Sequence, residues 1–168
     1  MGFQGTFLGA GGINGMAETV ASKPAFREAF RRGRRCLVPV DGFYEWAKTP
    51  KAKQPYLIGM ADGSPLALAG LWEQWKDPQP GGEVVQTFTV LTTEPNELCA
   101  PIHNRMPAIL GRENWSAWLG EVHVPQGELI GMLRPYPASL MRAYSVNRRV
   151  GNVRNNDPGL LTEIANAS

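Results

Sequence analysis

The 168-residue chain has few of the residues that cross-link small proteins or bind metals. It contains two cysteines, Cys36 and Cys99, without CxxC spacing, and two histidines, His103 and His123. These are too few for a disulfide framework or for a structural zinc site. We therefore expect reduced thiols, no metal and no cofactor.

Long apolar segments are also missing. No run approaches the roughly 20 apolar residues that span a bilayer. The first twenty residues lack the basic and apolar regions of a secretory signal. The sequence therefore argues against a membrane or secreted protein, and we expect an intracellular, cytoplasmic monomer that does not bind membranes.

Turn-forming residues are abundant instead. Nineteen glycines and fourteen prolines fall between short apolar runs with no internal repeat, which favours a fold of short strands over a helical bundle. Strands are predicted at residues 36–40, 43–46, 55–58, 66–72, 84–92, 108–110 and 140–146, and short helices at residues 112–119 and 125–133. The sum is a β-rich α+β domain, mainly an antiparallel curved sheet or barrel with peripheral helices.

A further helix is predicted between Ser22 and Gly33. Ser22 is a residue type that caps helix N-termini, Pro24 suits the first turn, and Phe26 and Phe30 form an apolar stripe. Residues 1–12 are glycine-rich and show no periodicity. We interpret them as a flexible remnant ahead of a single domain spanning residues 13–168.

Charge is divided unevenly along the chain, although the net charge is only +2. Residues 1–59 carry nine Lys and Arg against four acids, residues 60–133 three against nine, and residues 134–168 five against two. If the fold brings the basic ends together, one positive face could attract a phosphate backbone. Its members would be Arg31, Arg32, Arg34, Arg35, Arg142, Arg148, Arg149 and Arg154. The alternative is a solvated helix end and tail.

Glu45 is the first candidate for proton transfer, because it lies between Tyr44 and Trp46. A carboxyl group held against aromatic rings has a raised pKa, which suits general acid or base catalysis. The alternative is an ordinary strand glutamate on the solvent face, as alternation in aromatic strands often produces.

His103 is the second candidate, since it lies in a loop two residues before Arg105 and could move protons beside an anionic substrate. A purely structural histidine is the alternative. Asn14 could orient a carbonyl or hydroxyl group, although loop asparagines are usually turn residues. Cys99 lies four residues before His103 and could be a nucleophile, but a buried, inert thiol is the simpler interpretation. Cys36, in an apolar run, is also expected to be buried.

The chain carries an ordered series of short motifs over about residues 13–160. They are Ile13-Asn14, Ala17-Glu18-Thr19, Phe26-Arg27-Glu28-Ala29-Phe30, Arg34-Arg35-Cys36-Leu37-Val38-Pro39, Asp41-Gly42-Phe43-Tyr44-Glu45-Trp46, Pro55-Tyr56, Ala69-Gly70-Leu71-Trp72, Phe88-Thr89-Val90-Leu91-Thr92-Thr93, Ala100-Pro101-Ile102-His103-Asn104-Arg105-Met106-Pro107 and Asn155-Asn156-Asp157-Pro158. In order and spacing this series resembles the SOS response-associated peptidase (SRAP) family.

The resemblance implies a β-rich α+β fold with a basic groove for single-stranded DNA that carries abasic sites. In that family the ring-opened aldehyde of the abasic site meets a processed N-terminal cysteine, whose amine and thiol form a covalent thiazolidine crosslink. Autoproteolytic peptidase activity and lyase activity accompany this chemistry. The implied context is DNA damage and the SOS response, with a nucleoid-associated location in a bacterium.

The resemblance also assigns roles to individual residues. Asn14 matches the family's active-site asparagine, Glu45 its acid/base glutamate and His103 its histidine. The predicted site therefore consists of the catalytic Asn14, Glu45 and His103 and the DNA-binding Arg105, Trp46, Arg34, Arg35 and Arg148, with no metal. Basic residues would bind the backbone, and Trp46 would offer a stacking face for a splayed strand.

The chain departs from the family pattern at three places. Family members begin Met-Cys-Gly, whereas this chain begins Met1-Gly2, and the segment that normally precedes the Asn14 motif is absent. We therefore expect missing N-terminal strands and no crosslink. Gly15 and Met16 stand where the family has alanine and arginine, and the asparagine pair expected after Asn147 is interrupted by arginine, valine and glycine at residues 149–151.

Three functions remain open at this point. The first is a SRAP enzyme that engages abasic sites, and the second is a degenerate, non-catalytic paralogue that only binds single-stranded DNA. The third is an unrelated cysteine hydrolase that uses Cys99 and His103.

Overall fold

The computed structural model describes residues 14–50 and 52–165. The predicted N-terminal remnant, residues 1–12, lies outside these ranges. Contacts divide the chain into two compact units. The first is Met1–Val38, Ala67–Thr93 and Pro107–Arg134, and the second is Pro39–Leu66, Glu94–Met106 and Pro135–Ser168. Because compactness does not show separate folding, the single domain over residues 13–168 stays a prediction.

Strands and short helices alternate along the described chain. In order they are β1 (Asn14–Met16), α1 (Pro24–Arg31), β2 (Arg35–Val40), β3 (Phe43–Lys48), β4 (Lys53–Met60), β5 (Leu66–Lys76), β6 (Val84–Thr93), β7 (Met106–Pro107), α2 (Trp115–Leu119), α3 (Gln126–Gly131) and β8 (Met141–Ser145). Single 3₁₀ turns lie at Ala17–Thr19, Arg112–Asn114, Ala138–Leu140, Arg148–Gly151 and Pro158–Leu161. Among these helices none has the length and apolarity that a membrane span requires.

The first sheet has the strand order β1-β6-β5-β2, with β7 added beside β6. Strands β5 and β6 form a long antiparallel ribbon from the pair Gly70–Val90 to the pair Lys76–Val84, and β1 runs parallel to β6. Side chains alternate over the first half of β6, where Val84, Gln86 and Phe88 are exposed and Val85 and Thr87 are less so. This sheet belongs to the first unit.

The apolar core of the first unit gathers around Trp118, which is fully buried. Its ring lies 6.2 Å from that of Phe30, and its indole N–H donates to the Cys36 carbonyl at 3.0 Å. Leu71 and Leu91 contribute from the sheet, and Leu129 contributes from α3. The helices and the sheet of this unit therefore share one hydrophobic core.

The second sheet is antiparallel with the order β3-β4-β8. Glu45 pairs with Tyr56, and Tyr56 pairs in turn with Ser145, so the three residues lie in one row across the sheet. The C-terminal segment returns to β8, where Ser145 Oγ donates to the Ile164 carbonyl at 2.7 Å. The α+β, mainly antiparallel prediction is confirmed. The described strands form two open sheets, and no closed barrel.

Two local predictions were wrong. Ser22 does not cap α1, because its Oγ donates back to the Thr19 carbonyl at 3.3 Å; the N-cap is Lys23, whose carbonyl accepts the first helical N–H groups. Residues 108–110 form no strand and contribute one bridge, between Ile109 and Leu68. The predicted helix end at Gly33 is confirmed, with φ at 71°, a conformation that glycine adopts readily.

Candidate active site

Glu45 projects from the middle of β3. Side chains alternate along a strand, so Glu45 lies on the face opposite Tyr44 and Trp46 and is not held between their rings. The Glu45 side chain is 24% exposed, which places it neither in the core nor fully in solvent. On the opposite face, the Tyr44 hydroxyl donates to the Leu160 carbonyl at 3.4 Å. The two faces of β3 therefore have different surroundings.

His103 is brought to Glu45 by the loop between β6 and β7. Its Nδ1 lies 3.9 Å from Glu45 Oε1, within ion-pair range and beyond direct hydrogen-bonding distance. The same nitrogen accepts the Arg105 backbone N–H at 3.2 Å and lies 3.1 Å from the Arg105 carbonyl. Residues 58 positions apart in sequence thus form one carboxyl–imidazole pair.

These contacts favour different protonation states of the His103 ring. The Arg105 N–H needs a lone pair on Nδ1, which puts the proton of the neutral ring on Nε2. When the ring is charged, Nδ1–H can donate to the Arg105 carbonyl or approach Glu45. The site can therefore hold the imidazole in place while it gains or loses a proton.

The Glu45 carboxyl group has a raised pKa. Burial is the largest cause, whereas the charge of His103 and a hydrogen bond from the Trp46 backbone N–H both lower the pKa. Burial disfavours the charged form of a carboxyl group. Glu45 therefore keeps its proton to higher pH than an ordinary glutamate, as a general acid requires.

Cys99 does not have the properties of a nucleophile. It is 1% exposed, and burial, assisted by the charge of Glu45, raises the pKa of its thiol to about 11. The neutral thiol therefore dominates at physiological pH, and the thiolate is the reactive species. Both cysteines are free; Cys36 is only partly buried, contrary to the expectation, and this partial burial raises the pKa of its thiol. These observations disfavour a cysteine hydrolase built on Cys99 and His103.

The other predicted site residues differ in their exposure to solvent and in the element that carries them. Trp46 is 37% exposed on β3, and Arg105 is partly buried beside the imidazole of His103. Arg148 is exposed in the 3₁₀ turn after β8. Asn14 lies exposed on β1, opposite Val90, in the first unit.

The two arginines at the start of β2 have protein partners. Arg34 forms an ion pair with Glu73 and stacks over the Trp72 ring at 5.5 Å. Arg35 donates to the Trp118 carbonyl and lies over the Trp118 ring at 5.8 Å. Burial lowers the pKa of Arg35, although a guanidinium remains charged at physiological pH.

One residue of the site region was missed by sequence reasoning. Asn96, in the loop that carries His103, is 6% exposed and hydrogen-bonded by both ends of its amide. Its local signal, asparagine after proline at the start of a turn, is common in surface loops. Its partners lie 40 and 45 residues away, at Tyr136 and Met141, so no local pattern could have indicated them.

The described residues thus form an α+β protein in which a strand and a loop bring a carboxyl group and an imidazole close together. Residues 5–153 match the sequence profile of the SOS response associated peptidase (SRAP) family. This chain belongs to that family.

Curated relatives and solved structures agree with this membership. The chain is 42% identical over 150 residues to the abasic site processing protein YoqW of Bacillus subtilis, covering 89% of this chain and 66% of the relative. It is 34% identical over 170 residues to the abasic site processing protein HMCES of Gallus gallus, covering 90% of this chain and 50% of the relative. The chain thus spans less than two thirds of each relative's length.

A crystal structure of a protein from Bacteroides thetaiotaomicron is similar to this chain, with a TM-score of 0.82 and 33% identity. The match covers 90% of this chain and 66% of that one. A second structure, from Bordetella bronchiseptica, gives a TM-score of 0.71 at 30% identity and covers 80% of this chain and 64% of that one. The fold of the chain is therefore that of the family.

Proposed function

We propose that this protein engages abasic sites in single-stranded DNA during the response to DNA damage, and that Glu45 and His103 move protons on the abasic sugar. The observation that carries the proposal is the 3.9 Å approach of His103 Nδ1 to a half-buried carboxyl group whose pKa is raised. The names of the relatives in Bacillus subtilis and Gallus gallus supply the substrate class.

An abasic deoxyribose exists mainly as a ring-closed hemiacetal, and its aldehyde appears when the bond from C1′ to the ring oxygen breaks. Protonated Glu45 can give its proton to the ring oxygen as this bond breaks, and neutral His103 can take the proton of the C1′ hydroxyl group. The products are the aldehyde, a carboxylate and an imidazolium, so charge and protons balance. The opposite charges form side by side, where each stabilises the other.

DNA contacts are proposed for the exposed residues of the second unit. Trp46 presents part of its ring to solvent and can stack on a base of an unpaired strand. Arg148 is exposed and can contact a phosphate, and Arg105 is fixed next to the imidazole. Arg34 and Arg35 remain proposed contacts, although Glu73 already balances the charge of Arg34.

Asn14 is proposed, from the family resemblance, to orient the sugar or its aldehyde. The crosslinking and lyase activities of the family need the amine and thiol of an N-terminal cysteine, which autoproteolysis exposes, and all three activities belong to the whole proteins. Opening the sugar ring precedes crosslinking and strand cleavage and needs only the groups described above. We therefore propose that this chain acts at the ring-opening step.

Binding to three labelled single strands tests the proposed function. One strand carries a true abasic site, one carries the tetrahydrofuran analogue, which has no C1′ hydroxyl, and one is intact. Fluorescence anisotropy at fixed salt is expected to show at least about tenfold tighter binding to the true abasic strand than to the intact strand, with the analogue between them. Equal affinity for all three would refute recognition of abasic sites and leave a general single-stranded DNA-binding protein.

A further inference from the structure

The loop that carries His103 is shaped by the buried amide of Asn96. Asn96 Oδ1 accepts the Cys99 N–H at 3.0 Å, and the Asn96 carbonyl accepts the Ala100 N–H at 2.9 Å. These bonds close a turn immediately after β6. The turn is held by a side chain that is 6% exposed, so water does not compete for its bonds.

The other end of the amide fixes this turn to the rest of the second unit. Asn96 Nδ2 donates to the Tyr136 carbonyl at 2.7 Å and lies 3.3 Å from Met141 Sδ. The Asn96 backbone nitrogen lies 3.3 Å from Sδ of Met106, the first residue of β7. Asn96 therefore contacts the turn after β6, the first residue of β7 and the first residue of β8.

Backbone hydrogen bonds to Cys99 connect His103 to this turn. The Cys99 carbonyl accepts the N–H groups of Ile102 at 2.8 Å and of His103 at 2.9 Å. Strand β8, which Asn96 contacts, pairs with β4, and β4 pairs with the strand that carries Glu45. Asn96 thus connects the loop of the imidazole to the sheet of the carboxyl group.

We infer that Asn96 is a positioning residue, which sets the distance of His103 from Glu45 by fixing the loop to β8. It has no contact with substrate in this role and acts only through His103. The importance of that distance for catalysis rests on the proposed function. The distance itself is a property of the free protein and can be tested without DNA.

The reporter is the pKa of the Glu45 carboxyl group, measured by carbon-13 NMR and assigned by its loss in Glu45→Gln. His103 lowers this pKa by its charge, so the pKa reports whether the imidazole stays near. Tyr56, which pairs with Glu45 across the sheet, Arg105 and Cys99 are other titratable or charged groups beside the pair, and Glu97 lies exposed on the same loop. None of them is changed in the variants below.

Asn96→Ala is expected to raise the Glu45 pKa toward the value in His103→Ala, and to add nothing further when combined with His103→Ala. Asn96→Ser keeps an acceptor that can close the turn but is too short to reach Tyr136. It should give a smaller rise, and it serves as the test if the alanine variant does not fold. Ser145→Ala is the matched control, because it removes one buried hydrogen bond of the same unit and should leave the Glu45 pKa unchanged.

A Glu45 pKa that is the same in wild type, Asn96→Ala and Asn96→Ser, with stability reduced as in Ser145→Ala, would overturn the inference and leave Asn96 a purely structural residue. The DNA-binding measurement is separate from this test. If the wild-type protein binds the abasic strand no more tightly than the intact strand, the proposed function is refuted. The titration of Glu45 would still decide the role of Asn96.

Discussion

The two compact units of the protein both bury apolar and polar side chains, and they differ in that the second half-buries a glutamate whose pKa is raised. The first unit surrounds Trp118 with aliphatic and aromatic side chains from a sheet and three helices. The second unit also buries apolar residues, together with Asn96, Ser145 and the Cys99 thiol, and it half-buries a glutamate. Apolar burial stabilises a fold, whereas buried polar and ionisable groups cost stability unless they are paired.

The difference separates side chains that stabilise the fold from a side chain to which we assign proton transfer. Side chains in the first unit contribute by filling space, and removing one should weaken the fold at every pH. Glu45 in the second unit has its charged form disfavoured by burial, so ionisation of this group costs stability. Substitutions of Trp118 in the first unit and of Glu45 in the second should therefore change stability in opposite directions once the pH is high enough to ionise Glu45.

The largest effect is expected from Trp118→Ala. This change removes a fully buried indole, its contact with Phe30 and its bond to the Cys36 carbonyl. The free energy of unfolding should fall by about 3–5 kcal/mol, measured by urea denaturation. The matched control is Trp75→Ala, since Trp75 is 56% exposed and its loss should change stability by about 0.5 kcal/mol or less. Equal losses in the two variants would contradict the assigned core.

A smaller effect of opposite sign is expected from Glu45→Gln. The folded protein raises the Glu45 pKa, so the folded state holds the proton over a pH range in which the unfolded chain has lost it. Wild-type stability should therefore decline as pH rises from the ordinary glutamate pKa through the raised value. The glutamine variant, which cannot ionise, should lack this decline.

Thermal or urea unfolding of wild type and Glu45→Gln across pH 4 to 8 measures the difference directly. The variant should gain stability relative to wild type as pH rises, with the gain complete above the raised pKa and smallest at the acidic end. Glu97→Gln is a matched control on the surface and should show no such trend. A constant difference between Glu45→Gln and wild type at every pH would show that burial does not disfavour the charged carboxyl group.

The elements that the sequence predicted well are those whose signals are local. The apolar run at residues 66–72 and the alternation at residues 84–92 lie in β5 and β6, and the glycine at position 33 ends α1. Such patterns follow from side-chain alternation and backbone sterics, which need no distant partner. The wrong cap at Ser22 shows the limit, because its hydroxyl had a competing acceptor in the preceding turn.

The site was less accessible to sequence reasoning, because its contacts are long-range. Glu45 and His103 were singled out by residue type and joined by the family resemblance, but nothing in their spacing predicted a 3.9 Å approach. The aromatic neighbours of Glu45 suggested the direction of its pKa shift, yet they lie on the opposite face of β3. Asn96 was not predicted as a site residue, because the partners of its amide lie far away in sequence, in the segment before β8 and on β8 itself.

The proposed role of Glu45 and His103 is to open the sugar ring of an abasic site. The most direct test is the rate at which methoxyamine captures the aldehyde of an abasic single strand, at methoxyamine concentrations where ring opening limits the reaction. Wild type should accelerate capture, and Glu45→Gln should lose about 10²-fold of the acceleration, in keeping with the usual contribution of a general acid, while still binding the strand. Equal capture rates with wild type and Glu45→Gln, both saturated with DNA, would contradict the account.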